Sequence, residues 1–197
     1  MWTSLTSTIG KLADDSLLEK EYFLKRMEGV PDTFKLEHHL TLVSIHPSLL
    51  VACNYYENES SKFEKAFMDK ITSKSFRLNP NEGVKTRFLM ALVQLSVASN
   101  EKVLVFSQYQ DPFTLIKDEL GSILNWSEGK EFLQMDRKQN VKLRQQTMSI
   151  FNDPNSEVKV LLASTRACRE GISLIGASRV VLLDAVWNPS VERQAIS

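Results

Sequence analysis

Apolar residues recur along this chain in two rhythms, a helical one in the first half and a strand-like one that takes over near residue 100. Within residues 1–57, Leu12, Leu17, Leu18, Tyr22, Phe23 and Leu24 fall near a helical period, and Asp14, Asp15 and Ser16 offer caps. Pro31-Asp32-Thr33 reads as a stop and a new start. Phe34, Leu36, Leu40, Leu42, Val43 and Ile45 then predict a second helix, which must end near His46-Pro47 because proline disfavours helix in the residue before it. Residues 58–83 are polar and hold one short amphipathic helix on Phe63, Phe67, Met68 and Ile71. The turn formers Asn79-Pro80-Asn81 and Gly83 make this stretch the best candidate boundary. A helix over Val84–Ala98 follows, with Val84, Phe88, Leu89, Leu92, Val93 and Leu95 assigned to one side.

From Lys102 the rhythm changes. Lys102 to Gln108 is a short apolar run that opens into a polar tip, and Asp111-Pro112 then start a helix through Leu115, Ile116 and Leu120, with Asp111 as its cap. Glu131 to Met135 reads as a second strand, with Trp126 and Phe132 in the core. Asn140 to Asn152 reads as a helix striped by Val141, Met148 and Phe151, and Asp153 to Ser156 as a turn. Val158 to Ala163 and Arg179 to Leu183 are two further β-branched or aliphatic runs. Runs without a polar face are buried on both sides, as in a parallel sheet, which places Phe106, Leu161 and Leu182 in the core. Strands alternating with helices over short links predict an α/β fold: a parallel sheet, flanked by helices, with right-handed crossovers. Chemistry in such sheets collects where strands end, and Ser164, Thr165 and Asp184 stand at such ends.

Composition narrows the function classes. Acidic and basic residues balance at 24 each, so no global basic field exists and nucleic-acid binding must be local. The two cysteines, Cys53 and Cys168, form no CxxC, which argues against a disulfide framework or a zinc site and for a reducing compartment. His38, His39 and His46 lack the partner spacing of a metal site, so no metal is expected. No apolar run approaches the length of a membrane span, and no signal-peptide pattern opens the chain. The final residues look helical up to Ser197, so the sequence reads as a piece of a longer protein.

Residues 164–195, STRACREGISLIGASRVVLLDAVWNPSVERQA, resemble motifs V and VI of the Swi/Snf-type helicase-like chromatin-remodelling ATPases. Ser164 to Ala167, Gly171, Ile172, Leu174, Asp184, Trp187 to Pro189, Gln194 and Ala195 fit in order. Cys168-Arg169 stands where most members carry two glycines, and Ser173 where they carry asparagine. KVLVFSQYQD resembles motif IV, Arg144-Gln145-x-x-Met148-x-x-Phe151-Asn152 resembles the family's Arg-Gln helix, and His46-Pro47-x-Leu49 resembles the end of its inter-lobe insertion. The Ala-Cys-x-Glu-Gly variant is similar to the plant CLASSY branch, which acts in RNA-directed DNA methylation.

The resemblance implies a C-terminal RecA-like lobe over 84–197, a helical inter-lobe segment over 1–57 and a polar linker over 58–83. It places Gly171, Ile172, Ser173 and Gln194 at the nucleotide edge. It places Ser107, Gln108, Ser164, Thr165, Arg169 and Trp187 near a nucleic-acid backbone. From the residues alone, Ser and Thr at these ends read as helix caps, Trp187 as a core anchor or a DNA-side contact, and Arg169 as a phosphate-facing charge or a solvated substitution. ATP and Mg2+ are implied for the complete protein. These 197 residues contain no GxxxxGK[ST] phosphate loop and stop before the family's arginine finger, so no catalytic residue is assigned within them. Implied partners are double-stranded DNA or chromatin in the nucleus, the N-terminal ATPase lobe, and a plant silencing RNA polymerase complex. Two functions remain open: an ATP-driven DNA translocase, or a helicase-like scaffold with little turnover. A flavodoxin-like cofactor domain would need a glycine-rich phosphate loop after the first strand, which Ser107-Gln108-Tyr109-Gln110-Asp111 is not.

Overall fold

The computed structural model describes residues 33–53, 62–136, 138–165 and 173–184. The apolar run from Leu12 to Leu24 lies outside them. The chain divides into two compact units, Met1–Arg87 and Phe88–Ser197.

In the first unit, α1 (Thr33–Ile45) ends where the proline predicts, and a 3-10 turn over Pro47–Cys53 continues it. Leu40, Leu42, Val43 and Ile45 are buried, and so is His46. The ring of His46 staples this turn. Its Nδ1 accepts the Ser48 N–H at 3.1 Å, so its hydrogen sits on Nε2, which donates to the Asn79 carbonyl at 3.3 Å. A protonated imidazole would leave the Ser48 N–H without its acceptor, and burial holds the pKa of His46 down at about 4. The amphipathic segment forms α2 (Lys62–Thr72), which buries Phe67, Met68 and Ile71 against Leu50, Val51 and Phe76. Ser73 caps α3 (Lys74–Arg77), and Asn79 caps a 3-10 turn over Pro80–Glu82.

α4 (Val84–Ala98) crosses the division between the units. Its buried positions are Thr86, Leu89, Met90, Val93 and Ser96, whereas Phe88 and Leu95 are 61% and 66% exposed. Of the six positions assigned to one side, Leu89 and Val93 are buried and Val84 and Leu92 half-buried, whereas Phe88 and Leu95 face out, because apolar residues ring most of this helix and periodicity does not pick one face. The two hydroxyls are tolerated inside because they bond to their own backbone. Thr86 donates to the Pro80 and Gly83 carbonyls at 3.0 and 3.1 Å, and Ser96 to the Leu92 carbonyl at 2.8 Å.

The second unit is built on a parallel sheet of β1 (Val103–Ser107), β2 (Phe132–Met135), β3 (Val160–Ser164) and β4 (Arg179–Leu182), in the order β2-β3-β1-β4. Register aligns Val105 with Leu162 on one side and Val181 on the other, and brings Ser107 opposite Ser164. Leu104, Phe106, Met135, Phe151, Val158, Leu161 and Ala163 form one core cluster. Phe106 and Leu161 are fully buried as expected; Leu182 is half-buried and Val180 is 46% exposed. The β4 run is therefore not covered on both faces, because β4 is the edge strand of the described sheet.

α5 (Asp111–Leu124) buries Phe113, Leu115, Ile116 and Leu120. Asp111 is not its cap: Gln110 holds that position, and Asp111 lies in the first turn, where its charge suits the helix dipole. Phe132 is core, whereas Trp126 is half-buried beyond the left-handed cap Asn125. α6 (Val141–Asn152) is capped by Asn140, whose side chain accepts the Leu143 N–H at 2.8 Å, and it buries Thr147 and Phe151. Val141, expected on the inner stripe, is exposed at the first helical position.

Candidate nucleic-acid interface

The sheet gathers its polar strand ends at one edge. Ser107 ends β1, Ser164 ends β3 beside it, and Thr165 continues from there, its N–H donating to the Ser107 carbonyl at 3.1 Å. Asp184 follows β4 on the other flank of β1. Four sites expected from separate motifs, at residues 107, 108, 164 and 165, thus come together through strand register. Ser107, Ser164, Thr165 and Asp184 are all buried, and Gln108 is half-buried.

Asp184 organises this edge. Its Oδ2 accepts the Ser107 hydroxyl at 2.5 Å, and the Gln108 main-chain N–H points at both carboxylate oxygens, at 3.1 and 3.2 Å. The Ser107 Oγ in turn accepts the Tyr109 N–H at 3.1 Å. Of the backbone N–H groups that would otherwise be stranded past the end of β1, that of Gln108 is satisfied by the side chain that follows β4 and that of Tyr109 by Ser107. The Ser107 hydroxyl is thus engaged inside the protein, whereas Gln108, held through its main-chain N–H, is half-buried.

A second clasp fixes the segment leading into β4. The Asn152 side chain donates from Nδ2 to the Ser173 carbonyl at 2.9 Å and accepts the Gly176 N–H on Oδ1 at 2.9 Å. Gly176 fits so closely over α6 that an added Cβ would lie 2.7 Å from the Phe151 carbonyl oxygen. Ser173, expected at the nucleotide edge, is exposed there. Arg169, Gly171, Ile172, Trp187 and Gln194 lie outside the described residues.

Lys102 anchors the opposite end of β1. Its ammonium is buried and donates to the Phe151 carbonyl at 2.8 Å, the Asp153 carbonyl at 2.6 Å and the Ser156 hydroxyl at 2.9 Å. Burial and the neighbouring Lys159 lower its pKa, and Asp153 opposes them. Neither Lys102 nor Asn152 carries a local sequence signal for these roles, since the partners lie 21 to 54 residues away. Asp184 was legible as a strand-end carboxylate, but its partners were not.

The described part of this edge does not make a magnesium site. Among the described residues no group of three His, Cys, Asp or Glu could hold a metal ion, and the carboxylate at the edge already accepts N–H and O–H donors. Among the described residues no helix is long and apolar enough to cross a membrane.

Residues 84–197 match the family described as the helicase conserved C-terminal domain, and the chain belongs to that family. Its form is that of the SNF2-type ATPases, and its parallel sheet is a C-terminal RecA-like lobe. The chain is 54% identical over 166 residues to SNF2 domain-containing protein CLASSY 3 of Arabidopsis thaliana, covering 84% of this chain and 12% of that protein. It therefore spans about an eighth of that relative's length. Among solved structures, the C-terminal part of the Fun30 ATPase domain superposes with a TM-score of 0.60 at 19% identity, covering 98% of this chain and 71% of that one. The Sulfolobus solfataricus SWI2/SNF2 ATPase core in complex with dsDNA superposes with a TM-score of 0.56 at 18% identity, covering 98% of this chain and 34% of that one.

Proposed function

We propose that this chain supplies the second lobe of a DNA-dependent ATPase that remodels chromatin in the nucleus, in RNA-directed DNA methylation and gene silencing. In this reading residues 84–197 are the lobe, 1–57 the inter-lobe helical segment and 58–83 a linker. The observation that carries it is the edge where Ser107-Gln108 and Ser164-Thr165 lie side by side at the ends of paired parallel strands. Ser107 is turned inward to Asp184, and Ser164 and Thr165 are buried, so Gln108 is the side chain of this edge left to meet a phosphate backbone, a contact that positions a duplex without reading its sequence. The relative named above as a CLASSY protein supports the silencing context. ATP and Mg2+ belong to the complete protein, with Ser173 at the nucleotide edge and no metal ligand assigned within these 197 residues.

The test is a titration of labelled duplex DNA against the full-length protein at several ionic strengths. Affinity should fall with salt, because each phosphate neutralised releases counterions, and should show little sequence preference. Gln108→Ala should weaken it. Binding that ignores salt, or that Gln108→Ala leaves unchanged, refutes the reading.

A second reading is a scaffold that docks a silencing RNA polymerase with little ATP turnover. It draws on Cys168-Arg169, which replaces two glycines that would let a loop approach phosphate closely. Restoring both glycines in the full-length protein should then raise DNA-stimulated ATP turnover with partner binding intact. Turnover no faster than the parent's removes the support for this reading.

A further inference from the structure

Asp184 is a carboxylate at an edge assigned to an anionic ligand, and it is 2% exposed. As a bare charge it would oppose phosphate. As a metal ligand or a base it would need oxygen lone pairs turned outward. Instead its oxygens face the Ser107 hydroxyl and the Gln108 N–H, and Ser107 holds the next N–H, that of Tyr109. These are the residues through which the chain leaves β1 and turns toward α5. The bonds also tie the exit of β1 to the exit of β4, two strands paired in parallel register from Val103 with Arg179 to Phe106 with Leu182.

We propose that Asp184 is a positioning residue for nucleic-acid binding: its buried carboxylate, with Ser107, sets the direction in which Gln108 leaves β1 and so the contact of Gln108 with the duplex backbone. The inference rests on the reading of Gln108 as a backbone contact. Charge and geometry make opposite predictions. If Asp184 acted only through its charge, removing it would strengthen binding to phosphate. If it acts by holding Gln108, removing it weakens binding, and it does so only while Gln108 is present.

The experiment uses the full-length protein and a labelled duplex at fixed salt, with Ser107→Ala, Asp184→Ala, Gln108→Ala and the Gln108→Ala/Asp184→Ala double variant. Leu115→Ala, a buried α5 position, serves as a control for destabilisation alone. Loss of one directed contact corresponds to roughly a 5- to 10-fold weaker affinity. That loss is expected for Asp184→Ala, with a similar loss for Ser107→Ala and for Gln108→Ala, and parental affinity for Leu115→Ala. The double variant should bind no more weakly than Gln108→Ala, since residues acting through one contact are not additive. Asp184→Asn, which keeps an oxygen for the Gln108 N–H, should recover part of the loss. The proposal is overturned if Asp184→Ala and Ser107→Ala bind as the parent or tighter while Gln108→Ala is weak. It is equally overturned if the losses add in the double variant, or if Leu115→Ala weakens binding as much. Should Asp184→Ala fail to fold, Ser107→Ala, which changes no charge, decides between the same outcomes through its own double variant with Gln108→Ala. A parent that binds no duplex, or a Gln108→Ala variant that binds like the parent, removes the underlying reading and this inference with it.

Discussion

Replacing Lys102 with methionine tests whether a buried cation holds the far end of the lobe together. The ammonium donates to three oxygens: the Phe151 carbonyl, the Asp153 carbonyl and the Ser156 hydroxyl. Methionine fills similar space and removes all three bonds. Their losses are unequal. Asp153 is exposed and Ser156 half-buried, so water replaces the lysine at both, whereas Phe151 is 0% exposed and its carbonyl loses a charged donor. A hydrogen bond to a charged group contributes about 1.5–3 kcal/mol. Relief of the ammonium's desolvation, the same burial that lowers its pKa, offsets part of this. The expected net cost is about 2 kcal/mol, which in a unit of this size lowers the melting temperature by roughly 8–16 °C. The damage should also travel. The Phe151 carbonyl lies under Gly176, and Asn152 beside it holds the Gly176 N–H. Amide exchange at Gly176 should therefore speed up by about tenfold, as expected when roughly 1.4 kcal/mol of local protection is lost. Thermal melting and hydrogen exchange of the lysine and methionine forms decide it. A methionine variant that melts within 2 °C of the parent (about 0.5 kcal/mol or less), with unchanged exchange at Gly176, would refute the reasoning.

Three further outcomes follow from the same geometry. The folded His46 favours its neutral form, with a pKa of about 4 against 6.5 when unfolded, so its contribution is complete above about pH 6.5 and is lost as pH falls toward 4. That drop amounts to roughly 3 kcal/mol in the first unit. Denaturant titrations between pH 7 and 4 should show it, and a His46→Gln variant with the same pH slope would contradict it. Gly83→Ala should destabilise the first unit by about 1–3 kcal/mol, because a Cβ would lie 2.5 Å from the Ile45 carbonyl oxygen and 2.5 Å from the Thr86 hydroxyl. Parental melting of that variant would show that this turn can move aside. Leu161→Ala should cost about 2–5 kcal/mol and Leu182→Ala distinctly less, because one is central and fully buried and the other is half-buried on the edge strand. Equal losses in chemical denaturation would mean that β4 is covered as fully as β3.

Much of this chain is written in the order of its residues. The apolar runs around Phe106 and Leu161 can only be buried strands, His46-Pro47 must end α1, and the Ser107-Gln108 and Ser164-Thr165 pairs declare themselves as strand tips. Such features depend on a residue and its near neighbours. Which face of α4 turns inward was not legible, because both faces are apolar and only the surrounding structure exposes Phe88 and buries Thr86. The openness of β4 depends on its place at the edge of the strand order rather than on its own composition. The ties that hold the candidate interface were beyond the sequence for the same reason. Asp184 reaches back 77 residues to Ser107, Lys102 reaches forward 49 to Phe151, and Asn152 spans 24 to Gly176. A hydrogen bond requires two groups within about 3 Å. Local sequence specifies the groups, and only the packed sheet brings them within that distance.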